Sequence, residues 1–110
     1  MAKGFYVQEG KTIHYTNSGE AAIGYCDVVP LTSRVGVAAC DIPTGGKGTL
    51  SISGVYELPA DTAAMTVGQL VHWDTAAGKV VAAAGESGTV PCGTVVADKG
   101  AGSASALVKI

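Results

Sequence analysis

Apolar and polar residues alternate along most of this chain, and a turn signal interrupts them every few positions. In KTIHYTN, Lys11 to Asn17, Ile13 and Tyr15 fall on one face and Thr12, His14 and Thr16 on the other. That is the period of a half-buried strand. Asn17-Ser18-Gly19-Glu20 supplies turn chemistry. AIGYCDVVPL follows, rich in β-formers and ended by Pro30, and RVGVAACDI sets Val35, Val37 and Ala39 on one face. After the turn Pro43-Thr44-Gly45-Gly46, TLSISGVYEL shows the cleanest alternation: Leu50, Ile52, Tyr56 and Leu58 against Ser51, Ser53, Val55 and Glu57. Gly54 inside it signals a bulge or a close backbone approach.

LPADTAAMTVGQ carries the one helical signal. Asp61 is placed to cap a short turn through Thr62 to Met65, and Gly68 to end it. LVHWD and KVVAAA then read as a hairpin across Thr75-Ala76-Ala77-Gly78. TVPCGTVVAD and SASALVKI read as two last strands, joined by Lys99-Gly100-Ala101-Gly102-Ser103. Many short strands with a turn between each pair predict an all-β barrel or sandwich with one short helix. Residues 1–10 stand apart as an arm, with Phe5, Tyr6 and Val7 forming an apolar knot, and residues 11–110 make a single β domain.

Composition narrows the function. The chain has 110 residues, enough for one domain with a modest core. It is 47% hydrophobic but only 5% aromatic, so much of that core is Ala and Val, and burial between subunits would add to a thin interior. A formal charge of −2 leaves no basic face for nucleic acid. No run reaches the roughly 18 apolar residues of a membrane span, and MAKGFYVQEG does not read as a signal peptide. Cys26, Cys40 and Cys92 are odd in number and widely spaced, so they read as free thiols of a reducing compartment, small residues in an Ala/Val core.

Candidate chemistry is sparse. TGGKGT at Thr44 to Thr49 lacks the Gly-Lys-Ser/Thr spacing of a phosphate loop and precedes a strand, so it reads as a hairpin turn. No two of Cys26, Cys40, Cys92, His14 and His72 lie within zinc-ligand spacing. Neither histidine has a nucleophile signature nearby. His72-Trp73-Asp74, around the only Trp, reads as architecture: Trp73 packs against Val81 or its neighbour across the hairpin, and Asp74 accepts an amide of the turn. No small-molecule substrate, cofactor or metal is implied. A metal-dependent enzyme or hydrolase would require these Cys and His residues to converge.

The order of the pieces resembles a family. FYVQEGKTIHYT, GYCDVV, RVGVAACDIPTGGKGTLSISGVYELP, VGQLVHWDTAAGKVV and a Gly-rich close, CGTVVADKGAGSASALVKI, are similar in order and spacing to the bacteriophage capsid cement, or decoration, proteins. The resemblance spans essentially the whole chain, and no single motif carries it. It implies a compact β-barrel or β-tulip with a short helix and an extended N-terminal arm. It also implies a non-enzymatic homotrimer on the outer surface of the virion head, clamping subunits of the major capsid protein, with assembly in the host cytoplasm. Lys3, Phe5, Tyr6, Val7, Gln8 and Glu9 are then candidate capsid or trimer contacts, with the knot adding a strand to a partner's sheet edge. The alternatives are that Phe5 and Tyr6 fold back on their own core, or that the chain is another virion β-module, a head-completion or tail-tube protein.

Overall fold

The computed structural model describes residues 1–8, 10–82 and 88–110. Among these, nine strands form two antiparallel sheets. The first sheet holds β1 (Thr12–Thr16), β2 (Val28–Pro30), β3 (Val35–Ala38) and β4 (Lys47–Ser51) in the order β1-β4-β3-β2. The second holds β5 (Val55–Pro59), β6 (Leu70–Asp74), β7 (Lys79–Val81), β8 (Thr89–Val95) and β9 (Ser105–Lys109) in the order β5-β9-β8-β6-β7. The alternation of KTIHYTN survives as β1, with Ile13 and Tyr15 half-buried and their neighbours exposed. Ala83 and Ala84, expected to extend β7, lie outside the described residues.

Two apolar clusters hold the sheets. The larger one joins the inner face of the second sheet, including Leu58, Val71, Trp73, Val95 and Val108, to Val35 and Val37 of β3. The smaller one, Val29, Ala38, Ile42 and Leu50, lies with Ile13, Tyr15, Ile23 and Leu31. Strand β3 is buried at every position because its side chains feed both clusters in turn. The expected Val35-Val37-Ala39 face stops short, since β3 ends at Ala38 and Ala39 is exposed.

Three further expectations are corrected. TLSISGVYEL is not one strand: the chain leaves the first sheet after Ser51 and enters the second at Val55, swinging through Gly54 at φ 128. Leu50 and Leu58, predicted on one face, therefore belong to different clusters. A φ in that region favours glycine, and the Gly54 carbonyl accepts the amide of Ile110 at 3.0 Å.

No helix occurs among the described residues, so Thr62 to Met65 is not helical. Asp61 does accept the Ala63 amide at 3.2 Å, as a cap would. The groups that would continue a helix are committed to another segment. Met65 and Lys99 exchange both backbone bonds, at 3.0 and 2.8 Å, and the Thr62 carbonyl accepts Gly102 at 2.8 Å. The buried Lys99 side chain also donates from Nζ to the Ala63 carbonyl. A single turn cannot outweigh such pairing, because helix nucleation itself is unfavourable.

The barrel does not close either. The edge strands β5 and β7 of the second sheet meet only at an isolated parallel bridge, Ala60 with Val80. β7 is three residues long, and β5 ends in Pro59, which has no amide to donate. No ladder can form between those edges.

Candidate interaction surface

Trp73 and Asp74 of the His-Trp-Asp triplet are structural. Trp73 is 6% exposed, sits in the larger cluster and pairs with Val80, the neighbour of Val81. Asp74 Oδ1 accepts the amides of Ala76 and Ala77 at 3.0 and 3.1 Å. Gly78 then takes φ 67 and donates to the Asp74 carbonyl at 2.8 Å, closing the hairpin loop. His72 lies on the other face of β6, half-buried, with a buried Nδ1 that has no hydrogen-bond partner among the described residues.

The remaining reactive groups are dispersed. His14 is exposed on edge strand β1, opposite Thr49 of β4. No group of three or more His, Cys, Asp or Glu among the described residues is arranged to hold a metal ion. All three cysteines are free, but only Cys92 is a buried core thiol; Cys26 and Cys40 are exposed, against the expectation of buried thiols. Burial pushes the Cys92 thiol up to about 11.

The exposed corner at Cys26 has a local cause. Cys26 is the one described non-Gly residue with positive φ, at 74. Asp27 Oδ2 accepts the Gly24 amide and Asp41 Oδ1 accepts the Tyr25 amide, each at 2.8 Å. The Cys26 amide donates to Ala38 at 2.8 Å, so surrounding bonds fix a conformation that would otherwise be disfavoured. Tyr25 is held outward, 67% exposed, and the neighbouring Cys26 side chain raises its phenol above the usual tyrosine value. The sequence does not mark this corner, because one of its two carboxylates, Asp41, lies 15 residues beyond Cys26 and is brought there by folding.

The arm contributes the largest exposed side chains. Phe5, Tyr6 and Val7 are 84%, 83% and 87% exposed. Lys3 and Gln8 are exposed as well, and Glu9 lies outside the described residues. Among the described residues, 1–8 form no hydrogen bond with the body. The alternative in which Phe5 and Tyr6 fold back on their own core does not match these exposures. A second apolar set, not singled out from the sequence, lies on strands and loops of the second sheet: Leu70, 70% exposed, with Val67, Val96 and Leu107. Leu70 opens the LVHWD alternation on its polar face, which was the available signal.

A groove runs along β6 and β8 beside the loop that joins β2 to β3. It has a volume of about 400 Å³ and is lined by Arg34, Leu70, His72, Pro91, Cys92 and Ile110 among others. A shallower apolar hollow of about 610 Å³ lies beside Ile23, Asp41 and Pro43. The described residues thus form a two-sheet β domain with an exposed apolar arm and an open groove.

The chain belongs to the phage cement protein family: the family model described as phage cement protein matches residues 7–110. That is a phage capsid family, and it agrees with the resemblance carried by the order of the strands. Phe5 and Tyr6 precede the matched region. No curated protein and no solved structure gives a match.

Proposed function

We propose that this chain is a non-enzymatic capsid decoration protein that binds the outer surface of the phage head as a trimer and clamps neighbouring major capsid subunits. The observation that carries the reading, beside the family, is the N-terminal arm. Three consecutive apolar side chains stand more than four-fifths exposed, which is costly for a free monomer and useful for a docked one. Lys3, Phe5, Tyr6, Val7, Gln8 and Glu9 are the proposed contacts. An extended segment of this kind can add to an exposed sheet edge through its backbone while its side chains fill pockets. Several weak arms on one assembly multiply into tight attachment through effective concentration. The chain would then reside on the virion, after assembly in the host.

The test is addition of the purified chain to expanded heads that lack it, with occupancy counted by electron microscopy and shell integrity followed on heating. Density at local three-fold positions and a raised shell melting temperature are expected. Monomer alone across micromolar concentrations in native mass spectrometry, with no uptake by heads, would overturn the reading. Rings of six or long tubes would instead indicate a head-completion or tail-tube module. A chain lacking residues 1–8 is expected to keep its folding stability within about 0.5 kcal/mol, as for surface changes generally, yet to lose most of its head occupancy. Equal loss of both would place the arm in the core.

A further inference from the structure

The groove along β6 and β8 adjoins the point where the arm leaves the body. Ile52 links the two: its amide donates to the Lys11 carbonyl at 2.9 Å, and its carbonyl accepts Arg34 Nη2 at 2.8 Å. Arg34 then lines the groove. The walls are mostly apolar, from Leu70, Val71, Pro91 and Ile110, with polar groups from Ser33, Arg34 and His72. Buried His72 Nδ1, without a hydrogen-bond partner among the described residues, adds a polar group that a ligand can meet. An apolar slot with a few polar groups suits an amphipathic ring, whose face packs while its hydroxyl finds a partner. A guanidinium at the wall also favours an aromatic face.

The arm carries such a ring. Tyr6 is 83% exposed, so it does not occupy the groove of its own chain. It lies five residues before Lys11, a reach of up to roughly 17 Å when extended. The whole chain, arm included, measures 42 × 41 × 25 Å. An arm of that reach, rooted at the surface, crosses onto any copy that abuts its root. Every copy offers one arm and one groove. Head-to-tail contacts of this type fill every groove when they close into a ring.

We propose that the groove lined by Arg34, Leu70, His72, Pro91 and Ile110 receives Tyr6 from the arm of a second copy of this chain. Neighbouring copies are thus strapped together arm to groove. The inference rests on the decoration-protein reading insofar as that reading sets copies side by side.

Cross-linking tests it in a background carrying Cys26→Ser, Cys40→Ser and Cys92→Ala. Tyr6→Cys and Leu70→Cys are made in separate chains, mixed and oxidised with copper phenanthroline, in solution and on heads. A covalent heterodimer on a non-reducing gel is expected. No cross-link, or a cross-link only within one chain when both substitutions share it, would overturn the proposal. As a second measurement in the otherwise native chain, Tyr6→Ala should weaken self-association by about 10- to 100-fold, the loss of one buried aromatic, and Tyr6→Phe by much less. Unchanged self-association in Tyr6→Ala would also overturn it. Head uptake of the native chain is scored separately. Uptake without cross-linking refutes the arm-to-groove contact and leaves the cement reading standing, whereas cross-linking without uptake does the reverse.

Discussion

Removing one amide at Asn17 is expected to cost about 2–3 kcal/mol of folding stability. Asn17 is 3% exposed at the end of β1, where two turns meet. Its Nδ2 donates to the carbonyls of Ala21 and Ile42, at 2.8 and 3.2 Å, and its Oδ1 accepts the Gly19 amide at 3.0 Å. Asn17→Ala deletes all three bonds, each worth about 0.5–1.5 kcal/mol net. The further penalty for orphaned groups is small here. The buried Ile42 carbonyl keeps a bond from Ile23 at 2.9 Å, and Ala21 and Gly19 are exposed, so water can reach them. The main-chain bonds of Asn17, to Gly46 at 2.9 Å and from Gly45 at 2.8 Å, do not depend on the side chain. Urea unfolding followed by Trp73 fluorescence measures the loss, at one fixed protein concentration so that assembly does not confound it. Asn17→Asp is the control: it keeps the Gly19 bond but turns a charged oxygen toward two carbonyls, so it should be less stable than Asn17→Ala. A cost below about 0.5 kcal/mol for Ala, a surface-like value, or an Asp variant as stable as the native chain, would refute the assignment of Asn17 as the knot of these turns.

Other substitutions probe other parts of the fold. Trp73→Ala should destabilise by about 3–5 kcal/mol, as for a buried aromatic truncated to Ala, measured by chemical denaturation with circular dichroism. Gly93→Ala should cost about 1–3 kcal/mol or more, because the new Cβ would overlap the Lys109 carbonyl where β8 meets β9; a neutral thermal scan would mean that the strands sit farther apart. Ellman's reagent near pH 8 should label Cys26 and Cys40 rapidly in the folded chain. Cys92, buried and with a thiol pushed up to about 11, should react only at the rate of unfolding, so three fast thiols would contradict its burial.

Strand positions were legible where one face of the strand is wet. β1, β6 and β9 follow their alternation, and the Asp74 to Gly78 turn could be read from residue type alone. Sheet membership was not legible. Leu50 and Leu58 share a period but not a sheet, and only a φ of 128 at Gly54 separates them. The missing helix had the same origin: local capping at Asp61 is real, but Lys99, 34 residues beyond Met65, claims the backbone. For the candidate surface, the arm stood out as an apolar knot at a chain end. The groove could not, since Arg34, His72 and Ile110 come from separate parts of the chain.

The two clusters bear on how such a protein could work. Their buried members are mainly Val, Ala and a few larger residues, with Trp73 the one buried aromatic among the described residues. Each small side chain removes little area from water, so packing within the subunit supplies limited stability. The exposed apolar side chains of the arm and of the second sheet hold back area that only a partner can bury. On the proposed reading, that division is what couples folding to attachment. A partner that binds only the folded chain stabilises it by about 4 kcal/mol at a thousandfold excess over Kd, and linkage is reciprocal. The shell should therefore stabilise the cement subunit by the same coupling through which the subunit stabilises the shell. A more fully packed, self-sufficient monomer would have less exposed apolar area left to contribute to that coupling.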